Sequence, residues 1–126
     1  MAPKHFLEEF YASFNREIAS EEADPEVVVD QYYTPDCVQT TDGIPMDRAR
    51  LLAHLSPVGK LLSTAREERV EVHEALADGS RIAARITIRV TPAEGEPIVM
   101  EVQMIGELSE DGRFRRTHGL TRDVAA

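Results

Sequence analysis

The second half of the chain alternates. Four segments, Arg66–Ala77, Arg81–Thr91, Ile98–Leu108 and Arg113–Asp123, carry apolar and polar residues in turn, and the joins between them are short. The second segment is the clearest: Ile82, Ala84, Ile86, Ile88 and Val90 fall on one side, and Arg81, Arg85, Thr87 and Arg89 on the other. In the third, Met100, Val102 and Met104 oppose Glu101 and Gln103. A period of two marks a strand with one buried face. Asp78-Gly79 reads as a tight hairpin turn, Pro92–Pro97 as a looser one and Ser109–Gly112 as the third. Strands this long bend, so the pattern predicts a curved, mostly antiparallel sheet with one oily face. Other elements must cover that face.

The covering elements lie upstream. Phe6, Phe10, Phe14 and Ile18 recur at spacing four, with Leu7 and Tyr11 one step round, which predicts a helix over Lys4–Ser20 with one wide apolar stripe. Asp24-Pro25 is an N-cap followed by proline at the first helical position, and starts a second helix running to Tyr33. Thr34-Pro35-Asp36 stops it. Cys37–Thr41 is a short β-type stretch ended by the turn dipeptide Asp42-Gly43. A third helix begins near Pro45–Asp47 and carries Leu51, Leu52 and Leu55; Pro57 and Gly59 blur its end, and Lys60–Ala65 reads as a further turn or a loop. The order is ααβαββββ in one α+β domain spanning residues 1–126, a length that buries a core without staples.

Charge and composition exclude several partners. Fourteen basic against 23 acidic side chains give a net charge of −9, which repels phosphate backbones and anionic lipid. The apolar runs are far too short for a membrane span, and the start MAPKHFLEEF has no signal-peptide core. One cysteine, Cys37, rules out an internal disulfide and suits a reducing cytoplasm. The histidines (His5, His54, His73, His118) are scattered without metal-ligand spacing, and no phosphate loop, dinucleotide fingerprint or nucleophile elbow is present, so neither a metal nor another cofactor is expected.

Taken in order, the aromatic first helix FLEEFYASFN, the exit YYTPDCV, the helix MDRARLLAHL, the hairpin VEVHEALADGSRIAARITI and the closing strand GRFRRTHGLTRDV resemble the NTF2-like superfamily, and more closely its SnoaL-like branch. The resemblance covers the whole chain. It implies a cone in which three N-terminal helices pack on the concave face of the sheet, a pocket between the layers, and commonly a homodimer through the outer sheet face. That fold hosts ketosteroid isomerase, polyketide cyclase, limonene epoxide hydrolase and scytalone dehydratase, and also non-enzymatic association domains, so it does not decide function. Against the isomerase, Thr41 falls where that family has its general-base aspartate and Met104 where it has its protonated aspartic acid. Phe10 takes the oxyanion tyrosine position, with Tyr11 one residue on. Threonine cannot accept a carbon-bound proton as a carboxylate does, and methionine donates no hydrogen bond.

Asp42 follows the base position. A half-buried carboxylate there would have a raised pKa and could shuttle a proton, whereas an Asp-Gly pair is otherwise simply a turn. His54 sits beside the apolar stripe of the third helix, placed to line the pocket or to close the core edge. His118 shares a parity with Phe114, Arg116 and Leu120. If that parity faces inward, Arg116 and His118 form a basic pair in the pocket; the isomerase register instead turns Thr117, Gly119 and Thr121 inward, and one bulge converts one reading into the other. Catalytic candidates are therefore Asp42, His54 and His118. The expected pocket takes Tyr11, Phe14, Tyr33, Thr41, Leu55, Ile82, Ala84, Ile86, Met104 and Arg116, with Ile82, Ala84, Ile86 and Ile88 as its floor.

Three function classes remain open at this point. The leading one is a dimeric, cytoplasmic cone binding a small, largely apolar ligand; the second is a cyclase or isomerase moving a proton next to a carbonyl; the third is an association module with a solid interior. An enclosed cavity separates the first two from the third, and a carboxylate within reach of a histidine separates the second from the first.

Overall fold

In the computed structural model, which describes residues 2–125, helices α1 (Pro3–Ala19) and α2 (Pro25–Tyr32) lead into strands β1 (Tyr33–Thr41) and β2 (Ile44–Asp47). Helix α3 (Arg48–Thr64) follows, and then β3 (Glu67–Asp78), β4 (Arg81–Thr91), β5 (Ile98–Leu108) and β6 (Phe114–Val124). The strands form one curved sheet in the order β2-β1-β6-β5-β4-β3. Every neighbouring pair is antiparallel except β1 and β6, which run parallel.

Local chemistry explains the helix starts. The Asp24 carboxylate accepts from the Glu26 amide at 3.0 Å and proline occupies the first turn of α2. The Asp47 carboxylate caps α3 by accepting from the Arg50 amide at 2.9 Å. Arg48 then ties α3 to α2 with a bidentate contact to Asp30, 2.9 and 3.1 Å. The apolar stripe of α1 (Leu7, Phe14, Ile18) packs with Val28 and Val29 of α2 and Leu51 and Leu55 of α3. Together they cover Val72, Ile82, Ile86, Met104, Leu108 and Phe114 of the sheet, all buried.

The ααβαββββ order holds, with one strand added. Ile44–Asp47 turns back along Val38–Thr41 as a short hairpin, so α3 starts at Arg48 rather than at Pro45. β1 also begins earlier than the sequence indicates, at Tyr33. Its register against β6 breaks between Tyr33 and Val38, and Pro35 falls in that gap, where no ladder amide is required of it. α3 continues past Pro57 to Thr64. Gly59 permits this by letting the helix approach α1: a Cβ there would lie 2.7 Å from the Ile18 carbonyl oxygen.

The last strand holds the decisive irregularity. Leu108 pairs with Phe114 and Glu107 with Arg116, so Arg115 is an extra residue, a bulge that switches the parity of everything after it. Phe114 is buried at one end, and from Thr117 onward the inward positions are Thr117, Gly119 and Thr121. The outward row across the sheet is Leu76, Ala83, Ile105, His118 and Thr40, with Leu120 in the next row. Leu76, Ile105 and Leu120 are 75, 56 and 67 % exposed.

Candidate functional site

Between α1, α3 and the concave face of the sheet lies a cavity of about 380 Å³, within the range typical of small-molecule sites. Phe10, Tyr11, Phe14 and Asn15 of α1 form one wall, and Leu51, His54, Leu55, Val58, Leu61 and Leu62 of α3 form another. The floor consists of Ile88, Val90, Met100, Val102 and Met104, and the far side of Tyr33, Gln39, Thr41, Thr117, Gly119 and Thr121. No acidic side chain is among the residues that line it.

The aromatic wall is held by edge and stacking contacts. Phe10 stacks on Phe14 with centroids 5.6 Å apart and meets Phe114 edge-on at 5.0 Å and Tyr33 at 6.2 Å. Helical spacing of four puts Phe10 and Phe14 on one face, and Tyr11 follows one step round, toward the cavity. Burial raises the Tyr11 hydroxyl pKa to about 12. Tyr33 is raised by burial and, secondarily, by the neighbouring Tyr11. Both are therefore neutral hydroxyls at physiological pH, and among the described residues no hydrogen bond to either one offsets its burial. A ligand oxygen is the natural partner for such donors.

Several sequence candidates meet at this cavity: Tyr11, Phe14, Tyr33, Thr41, His54, Leu55 and Met104. His54 is exposed and sits at the rim. Others lie elsewhere. Ile82 and Ile86 are 1 and 0 % exposed, packed solid in the core rather than flooring an open space. Phe6 and Phe114 (6.3 Å apart) fill that end of the cone, and Ile82 lies against the same Gly106 that Phe114 overlies. Ala84 belongs to the same packed row, and the open part of the β4 face is Ile88 and Val90 instead. Arg116 and His118 are turned outward by the Arg115 bulge, so the basic pair does not enter the cavity.

Asp42 is also outside. It takes a left-handed conformation (φ 52°), accepts from the Thr121 amide at 2.8 Å and from the Thr121 hydroxyl, and donates its own amide to the Gly119 carbonyl at 2.9 Å. The Thr121 hydrogen bonds hold its carboxyl below the usual aspartate value, the reverse of the rise expected of a half-buried acid. Its work is to clamp the end of β1 to β6. Asn15 and Gln39 line the cavity without having been singled out in sequence. Gln39 was detectable, because it shares parity with Cys37 and Thr41 on β1.

On the opposite side of the sheet a shallow, mostly apolar groove of about 550 Å³ includes Leu76, Ala83, Ile105, His118 and Leu120. Among the described residues no group of three or more His, Cys, Asp or Glu side chains could hold a metal ion, and no helix is long and apolar enough to cross a membrane.

A family model described as a SnoaL-like domain matches residues 7–117. No curated protein matches. Among solved structures, the chain is similar to wild-type IdmH from Streptomyces antibioticus, a candidate polyketide cyclase (18 % identity, TM-score 0.67, 96 % of this chain and 92 % of that one). It is also similar to an LEH-like epoxide hydrolase from M. tuberculosis (16 %, TM-score 0.68, 96 and 83 %). A de novo designed NTF2-fold protein, NT-9, aligns as well (18 %, TM-score 0.62, 93 and 85 %). Identities this low establish the fold and leave the chemistry to the site.

Proposed function

The chain belongs to the SnoaL-like family, and on that premise we propose that it binds a small, largely apolar, uncharged ligand in the cavity between α1, α3 and the sheet. One observation carries this reading: a mostly apolar cavity of about 380 Å³ lined by Tyr11 and Tyr33, whose neutral hydroxyls have no protein hydrogen-bond partner among the described residues. Apolar walls favour a carbon skeleton at about 25 cal/mol per Å² buried. The hydroxyls favour a carbonyl or ether oxygen, at about 0.5–1.5 kcal/mol for each hydrogen bond. A charged ligand would be stripped of water with no opposite charge on the walls to replace it.

Titration of the ¹⁵N-labelled protein with neutral cyclic ketones, followed by NMR, tests the reading. Shifts should concentrate at Tyr11, Tyr33 and Gly119, and Tyr11→Phe and Tyr33→Phe should each weaken binding about three- to tenfold. Absence of any saturable shift in the wild-type protein defeats it.

A second reading rests on His54, the cavity-lining residue whose type exchanges protons near neutral pH. With a ketone oxygen on the tyrosines, His54 would take a proton from the adjacent carbon, as in a cyclase or isomerase; the likeness to IdmH, a candidate polyketide cyclase, supports this class. Deuterium exchange into the bound ketone that disappears in His54→Gln supports turnover, and exchange at the solvent rate in the wild type rejects it.

The outer groove supports self-association. Leu76, Ile105 and Leu120 form an exposed apolar stripe that a second copy would cover, giving a homodimer. The buried lone thiol of Cys37 and the charge of −9 suit a reducing, cytoplasmic setting away from nucleic acid and membrane surfaces.

A further inference from the structure

Six of the seven glycines have an evident structural reason. Gly43, Gly79, Gly95 and Gly112 sit in turns with positive φ, and at Gly59 and Gly106 a Cβ would collide at 2.7 Å with the Ile18 carbonyl and the Phe114 ring. Gly119 has neither reason. Its φ is not left-handed, and a Cβ built there would meet only the Gln103 carbonyl oxygen at 3.7 Å, an ordinary contact. It lies in the middle of β6, in regular register with Met104 on one side and Thr41 on the other. A glycine in a strand interior costs stability and contributes no packing, and such positions recur where a ligand comes close to the backbone. This one faces the cavity.

We propose that Gly119 sets the depth of the cavity and is its specificity-determining position, leaving room for a hydroxyl- or carbonyl-bearing edge of the ligand between Thr41 and Thr117. The inference rests on the ligand-binding reading and deepens it. Thr41 is paired directly with Gly119, and Thr117 is two residues along the same strand face. Both line the cavity, and among the described residues neither hydroxyl is engaged in a side-chain hydrogen bond, in contrast to Thr121, which is occupied by Asp42. The far end of the pocket is thus polar while the β4–β5 floor is apolar. The ligand that matches has an apolar body and one oxygenated edge, and its breadth is limited by what stands at residue 119.

A size series measures this by NMR titration of wild type, Gly119→Ala and Gly119→Leu with benzene, naphthalene and 2-naphthol. Wild type should bind all three. Gly119→Leu should lose naphthalene and 2-naphthol by about tenfold or more, the cost of forcing one extra side chain into a filled space, and retain benzene. Gly119→Ala should show a smaller loss in the same order with a melting temperature at or above wild type, which keeps the test decisive if the leucine variant does not fold. Thr41→Val and Thr117→Val should lower the preference for 2-naphthol over naphthalene about three- to tenfold. If Gly119→Leu binds naphthalene as tightly as wild type, or Gly119→Ala melts several degrees lower, the glycine serves the strand and this inference fails alone. If wild type binds none of the probes, the cavity reading fails and takes this one with it.

Discussion

The three tyrosines, Tyr11, Tyr32 and Tyr33, all have hydroxyls whose pKa lies above the usual value of about 10. A tyrosine raised in the folded state stabilises the fold below its unfolded pKa, and that stabilisation is lost as pH rises through the folded value. The native protein should therefore show little tyrosinate absorbance at 295 nm near pH 10, where the urea-unfolded chain is about half ionised. It should lose stability as the pH is taken higher. A native titration that overlays the unfolded one would contradict the buried-hydroxyl picture. Asp42 has the opposite sign. Its carboxyl is lowered by Thr121, so its contribution is present above the ordinary aspartate pKa of about 3.9 and fades as pH falls through the lowered value. Asp42→Asn should melt below wild type at pH 7, and the gap should narrow under pH 4 while ligand affinity changes little. Gly106→Ala puts a methyl against the Phe114 ring and should cost about 1–3 kcal/mol in urea unfolding.

At the scale of elements, helix packing depends on one close approach. The Gly59 backbone lies against the Ile18 carbonyl, so Gly59→Ala must push α3 off the C-terminal end of α1. We expect a loss of about 1–3 kcal/mol in chemical denaturation, and a weaker ligand response because Val58, Leu61 and Leu62 wall the cavity from the same segment. The elements also show what a single sequence discloses. The Asp24-Pro25 start, the Asp-Gly turns and the alternation in β4 are local signals, each governed by a cap, a left-handed residue or a period of two, and they were legible. Three features were not. Thr34-Pro35-Asp36 does follow the end of α2, as a helix stop should, but it is itself strand, because the register gap against β6 tolerates the proline. Ile44–Asp47 is too short to alternate and exists through its pairing with β1. The Arg115 bulge is set by how β6 meets β5, a tertiary fact, and it alone decides that Thr117 and Gly119 rather than Arg116 and His118 face the cavity.

For the molecule as a whole, the sheet separates two apolar environments: a cavity walled by α1 and α3 on the concave side, and a shallower groove around Ile105 on the other. Self-association through the groove face predicts a twofold mass by sedimentation equilibrium. Ile105→Glu and Leu120→Glu place charges in the middle of that face and should return the protein to monomer without changing its melting cooperativity or ligand affinity. A wild-type protein that sediments as a monomer at high micromolar concentration would remove the dimer.

The parallel pairing of β1 with β6 bears on how the protein comes into being. The earliest strand has β2 beside it at once, but its second neighbour is the latest strand to be made, 78 residues on (Thr41 against Gly119). A nascent chain on the ribosome accordingly holds α1, α2 and β1 as a half-built shell awaiting its keystone. The parallel ladder should therefore close late, and a chaperone-free translation assay should register its closure as an abrupt rather than gradual gain of protease resistance.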